Sequence, residues 1–172
     1  MVLKFGGTSV ADVTQIKKIA VKVKNEVKQG NKVIVVVSAM AGVTNNLIQL
    51  VKSTSETPSY SEYDVVVSTG EQVTSALLAI ALENLNIKAR SWLGWQVPII
   101  SDKSYGKAII EDIKTDQILE FFKKNQVAII SGFQGVSYEN RITTLGRGGS
   151  DTSAVAIAAS FSADRCDIYT DV

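Results

Sequence analysis

The 172-residue chain contains no histidine, one cysteine and two prolines. Without histidine there is no histidine-based catalytic triad and no histidine-ligated metal centre. Chemistry whose nucleophile is already ionised at neutral pH, such as a carboxylate, stays open. The lone Cys166 excludes an intrachain disulfide framework and fits a reducing compartment, so a cytoplasmic location is expected. Eighteen basic side chains against seventeen acidic ones leave a net charge of +1. That balance gives no reason to expect nucleic acid or a membrane as partner. The longest apolar run, around residues 33–43, is too short to span a bilayer and is interrupted by Ser38. The first residues show no basic stretch leading into an apolar one, so no secretory signal is expected.

The chain is long enough for one domain with a sizeable core, and its 45% hydrophobic content is ordinary. Met1–Phe5 reads as a first strand, broken by Gly6-Gly7-Thr8-Ser9. From Asp12 to Gln29, apolar residues at Val13, Ile16, Ile19, Val23 and Val27 predict a helix with a lysine-rich solvated face. Lys32–Val37 reads as a buried parallel strand, followed by a small-residue turn and a helix over about 45–53. Residues 53–63 read as a polar connection. A helix is expected over about 68–85, where Ser68 and Glu71 have capping-box spacing; a ligand-binding role for Glu71 is the competing reading. Further strands are expected at 87–93, 126–130 and 166–170, with hairpins at 99–110 and 136–145 and a short helix at 116–125. Trp92 and Trp95 read as core or lid packing. The strand–helix alternation implies right-handed crossovers and a parallel sheet whose ligand edge lies at the strands' carboxyl ends.

One stretch concentrates the chemistry: Thr143-Thr-Leu-Gly-Arg-Gly-Gly-Ser-Asp-Thr-Ser-Ala154. It reads as a glycine-rich turn entering a helix, with Gly146, Gly148 and Gly149 able to take positive φ and Ser150 as N-cap. A helix start of this kind suits phosphate or carboxylate, and Arg147 adds a fork for a carboxylate. It also reads simply as a loop before a well-capped buried helix. It is not a P-loop, because no lysine follows the last glycine. It is not a dinucleotide fingerprint either, because position 151 is aspartate. Lys4 places a charge in an apolar run. It is either a lysine at a strand edge or snorkelling to water, or a fixed cation facing an anion beside a glycine turn.

Six segments occur in order: Lys4-Phe-Gly-Gly-Thr-Ser9, Val37-Ser-Ala-Met40 with Thr44-Asn45, Ser68-Thr-Gly-Glu-Gln72, Gly132-Phe-Gln-Gly135, Thr143 to Ala154, and Ile168-Tyr-Thr-Asp-Val172. Together they closely resemble the catalytic domain of the bacterial aspartate kinases, in the amino-acid kinase superfamily. The resemblance covers the whole chain. It implies a three-layer αβα sandwich with a mainly parallel sheet, of the carbamate kinase-like type. It also implies phosphoryl transfer from ATP, with Mg²⁺, to the β-carboxylate of L-aspartate. The substrate's own carboxylate would be the nucleophile, so no histidine base is needed.

By matching motif positions, the resemblance gives Lys4 and Asp151 the catalytic roles, with Asp151 orienting Lys4. Gly6, Gly7, Thr8 and Ser9 would surround the transferring phosphate. Arg147 and Glu71 would hold aspartate's α-carboxylate and α-amino group, assisted by Ser38 and Thr44. Thr170 and Asp171 would begin the nucleotide site. No resident metal ligand is implied. Members of the family continue past Thr-Asp-Val into more sheet, with most of the adenine and ribose site, another phosphate-binding lysine and regulatory ACT domains. On that basis residues 1–172 are expected to be the N-terminal, substrate-binding part of a longer protein that is a homo-oligomer. Two other readings are an aspartate-binding fragment without turnover, and a kinase of another amino acid.

Overall fold

The structure is a computed structural model and describes residues 1–170. The apolar runs at Val2–Phe5 (β1), Val33–Val37 (β2) and Val127–Ser131 (β6) are buried on both faces. They form the middle of a five-stranded sheet in the order β3-β6-β2-β1-β9, where β3 is Ala89–Trp92 and β9 is Cys166–Tyr169. Every pairing in it is parallel.

The period of two along these strands sorts their side chains into two cores. Leu3, Phe5, Val33, Val35, Val37, Val127 and Ile129 face one side. They meet Ile16, Ile19 and Val23 of α1 (Val13–Lys28) and Leu78 and Leu82 of α4 (Thr69–Glu83). Val2, Ile34, Val36, Ala128 and Ile130 face the other side. There they meet Ile118 of α5 (Asp116–Phe121) and Ala154 and Ile157 of α6 (Gly149–Ser160). Helices on both faces of the sheet give the three-layer architecture expected from the sequence. Asp12 caps α1 by accepting from the Gln15 N–H at 2.8 Å.

A second, mixed sheet was not foreseen. It runs β5-β4-β7-β8, with β4 at Ile99–Ser101, β5 at Ile110–Ile113, β7 at Gln134–Ser137 and β8 at Ile142–Thr144. The two expected hairpins are β4–β5 and β7–β8, and a parallel β4–β7 pairing joins them. Ile99 and Ile113 enter the α6-side core, so the first hairpin belongs to the interior as well as the surface.

The polar connection at 53–63 ends early. Helix α3 starts at Tyr60, runs to Val67 and leads directly into α4, while α2 covers Val43–Thr54. The 24-residue segment Tyr60–Glu83 is long and apolar enough to cross a membrane by composition. Half of its most apolar window is buried inside this domain, where Val67, Leu78 and Leu82 are fully enclosed. Trp92 is buried edge-on to Phe121, whereas Trp95 is 46% exposed.

Candidate active site

The carboxyl ends of the parallel strands open onto a cleft of about 520 Å³. Gly7 follows β1, Ser38 follows β2, and Phe133 follows β6. The first turns of α2 and α6 close the cleft with Thr44, Asn45, Gly149 and Ser150. Two helix starts therefore bound one cavity, and their partial positive ends favour an anion between them. Arg147 and Glu71 also line it.

Glu71 sits in the first turn of α4 and is 3% exposed. Gly70 makes that placement possible, since a Cβ there would stand 2.7 Å from Ala39 Cβ. Glu71 Oε1 accepts the Ala39 N–H at 3.0 Å, while Oε2 is buried with no partner. Burial pushes the Glu71 carboxyl up to about 7, and the Ala39 N–H only partly offsets this. The capping-box reading is overturned. Ser68 has helical backbone and makes no cap bond; its hydroxyl donates to Val65 O, because α3 already supplies the turn before α4.

The turn before α6 also departs from expectation. Of Gly146, Gly148 and Gly149, only Gly148 has positive φ, at 72°. Gly148 is the N-cap residue, and Ser150 lies inside the first turn. The Ser150 hydroxyl is instead paired with the Ser38 hydroxyl at 2.7 Å, tying the helix start to the end of β2. Arg147 is exposed in the turn and has no carboxylate partner among the described residues.

Lys4 is neither on an edge nor snorkelling. β1 lies between β2 and β9, and Lys4 is 5% exposed. It projects to the same side as Val2, toward α6, and its Nζ lies 2.6 Å from Asp151 Oδ1. An unpaired ammonium at such depth costs several kcal/mol, on the order of the penalty for any buried ion, so Asp151 is what permits Lys4 there. The aspartate side chain is itself 51% exposed. The pair thus has a dry end in the sheet and a wet end at the helix start.

Not every expected site residue converges. Gly6 lies beside the Lys4 ammonium, 3.3 Å from where a Cβ would stand. Thr8 and Ser9 line a separate hollow with Phe5, Lys22 and Tyr169. Thr170 is exposed beyond the end of β9, and Asp171 lies outside the described residues. Conversely, Asn45, Tyr63, Gly106 and Phe133 line the cleft without having been given a site role, although Asn45 and Phe133 fall within the quoted segments. Phe133 takes a left-handed φ of 67°, held by its N–H donating to Ser153 Oγ at 3.0 Å. Its place directly after Gly132 at a strand end was the available signal.

No group of three or more Cys, Asp or Glu side chains is placed to hold a metal among the described residues. Mg²⁺ usually arrives on substrate phosphates with one or two carboxylates. The described residues build no cage for it.

Fold and site define an α/β protein with an anion-favouring cleft beside a buried lysine–aspartate pair. The family model described as "Amino acid kinase family" matches residues 1–172, and the chain belongs to that family. An aspartokinase of Rickettsia conorii is 54% identical over all of this chain and 44% of its own length. The crystal structure of the aspartate kinase from Synechocystis superposes with a TM-score of 0.85 at 45% identity, covering 99% of this chain and 28% of that one. E. coli aspartokinase III in complex with aspartate and ADP gives 0.87 at 27% identity, covering 99% and 49%. The chain spans less than half the length of the curated relatives it matches.

Proposed function

We propose that this chain supplies the amino-acid side of an aspartate kinase, an enzyme that phosphorylates the β-carboxylate of L-aspartate with ATP to give β-aspartyl phosphate and ADP. That product is the entry toward lysine, threonine and methionine. One observation carries the reading: a guanidinium and a buried carboxylate oxygen, both without partners among the described residues, line the same cleft. They are the complements of an α-amino acid's carboxylate and ammonium. Similarity to aspartokinases at about half identity over the full chain supports aspartate among the amino acids.

In this reading Arg147 receives the α-carboxylate as a fork and Glu71 receives the α-ammonium. Ser38, Thr44 and the helix starts face the side-chain carboxylate. That carboxylate is ionised at neutral pH, with an ordinary pKa of about 3.9, and attacks without a base. Lys4, aimed by Asp151, lies at the strand end to meet charge spread over the transferring phosphoryl oxygens. The backbone of Gly6 and Gly7 leaves room for those oxygens. Thr170 and Asp171 would extend the site toward the nucleotide. The enzyme would act in the cytoplasm.

Calorimetric titration with L-aspartate tests the cleft directly. Wild type should bind, and Arg147→Ala should bind on the order of thirtyfold more weakly, the scale of losing one partner of a desolvated charge pair. Equal affinity in the two would remove Arg147 from the site, and preference for glutamate would replace aspartate as the substrate.

A further inference from the structure

Among the described residues, Asp64 is the one fully buried carboxylate that the mechanism does not use. It lies in α3, two helical turns before Glu71 on the nearly continuous α3–α4 segment. Its bonds reach far along the chain. Oδ2 accepts the Gly106 N–H at 3.0 Å and the Thr144 N–H at 2.8 Å, while Oδ1 accepts the Thr144 hydroxyl at 2.6 Å. Gly106 belongs to the connection between β4 and β5, and Thr144 ends β8 three residues before Arg147. Gly106, Gly146 and Arg147 all line the cleft. The two segments also touch each other, with the Ala108 N–H donating to Thr144 O at 2.9 Å.

A core position in an apolar helix could be filled by leucine at lower cost. A buried carboxylate that satisfies three donors on two distant segments specifies geometry instead. We propose that Asp64 is a positioning residue: it clasps the Arg147 turn and the Gly106 turn to the helix that carries Glu71. The clasp sets the spacing between the two groups that grip an amino acid's ends. This rests on the cleft being an amino-acid site, whereas the clasp itself does not.

Two variants separate the possibilities. Asp64→Ala strands three donors. Asp64→Asn can keep all three bonds, with its amide oxygen accepting from both N–H groups and its amide nitrogen donating to the Thr144 hydroxyl. Amide hydrogen exchange followed by NMR on the chain should show Gly106, Thr144 and the 146–148 turn exchanging faster in Asp64→Ala by roughly tenfold or more, the scale of one lost buried hydrogen bond. Asp64→Asn should restore most of the protection. Aspartate affinity should fall by a similar factor in the alanine variant, about tenfold, and recover in the asparagine one. Ile118→Ala, in the core below α5, serves as a control for lost stability, since it should lower the melting temperature and leave aspartate affinity in place.

Unchanged exchange at Gly106 and the 146–148 turn in Asp64→Ala overturns the clasp, whatever the ligand. Loosened turns with unaltered aspartate affinity overturn the positioning role, as does an equal loss of affinity in Ile118→Ala. A wild-type chain that binds no aspartate, while its Asp64→Ala variant loosens both turns, sinks the aspartate reading and leaves the clasp standing.

Discussion

Glu71 makes the sharpest prediction, because its protonation should be linked both to folding and to ligand binding. Burial lifts its carboxyl from the ordinary 4.5 to about 7. In the unfolded chain the group ionises near 4.5; in the folded chain it keeps its proton until about 7. Between those values the folded state binds more protons, so stability falls as pH rises. The contribution is fully present below the unfolded value and is lost as pH rises through the folded one. Its size is about 3 kcal/mol, from roughly 1.4 kcal/mol per pH unit. Urea unfolding of wild type and Glu71→Gln across pH 5 to 8 should show the wild type losing about 2.5 kcal/mol relative to the variant, the remainder being lost already by pH 5. An ammonium at Oε2 would supply the missing counter-charge and draw the carboxyl back down, so aspartate should bind the ionised form. Affinity should then rise by about tenfold between pH 6 and pH 8, with a proton released on binding near pH 7. Calorimetry in buffers of different ionisation heat measures that proton. Affinity that is flat over this range in wild type, or that keeps its slope in Glu71→Gln, would show that Glu71 does not meet the ligand's charge.

The Lys4–Asp151 pair should respond asymmetrically. Asp151→Asn leaves a buried ammonium without its partner, and should cost about 1–2 kcal/mol of stability after allowance for the half-exposed aspartate. Lys4→Met leaves only a half-exposed carboxylate and should cost less, which thermal unfolding would check. In a longer form of the protein that turns over aspartate, each single change should lower kcat by roughly a hundredfold, and the double variant should be far better than the product of the two. Multiplying effects would show that Asp151 acts apart from Lys4. Gly94→Ala should destabilise the domain by about 1–3 kcal/mol through overpacking. Its new Cβ would stand 2.8 Å from the backbone oxygen of Gln134 in β7. A urea midpoint equal to wild type would refute that reading of the contact between the Gly94 turn and β7.

The parallel sheet was legible because its signal is local. Val33–Val37 and Val127–Ser131 are short apolar runs without polar alternation, and only burial on both faces accommodates them. The cleft's position followed from the topology, since small and polar residues end each of these strands. Capping was the least legible feature. Ser68 and Ser150 both have the spacing of helix caps, and neither makes a cap bond. In each case the chain before the serine is already turning, through α3 in one case and Gly148 in the other. The serine hydroxyl is thereby free for another partner. The second sheet was missed for a related reason. Two hairpins were recognisable one at a time, but their parallel β4–β7 contact joins residues far apart in sequence.

The place of Lys4 follows from the alternation of its strand. In a strand buried on both faces, alternation assigns each residue a side before any tertiary contact is known. Leu3 and Phe5 turn to α1 and α4, so Lys4 must turn with Val2 toward the layer formed by α5 and α6. A lysine facing inward from a central strand needs an anion on that layer. The carboxylate of α6 is Asp151, placed by the glycine turn in the first helical turn, close to the end of the strand. Asp64 admits no such derivation. Its three donors come from positions 42 and 80 residues away, and nothing in the periodicity of Tyr60–Val67 marks the position as polar by necessity. The groups proposed to face the ligand sit at strand ends and helix starts, where local rules reach them. A group that holds those elements at the right distance is defined by what it joins, and the fold has to be known before it can be found.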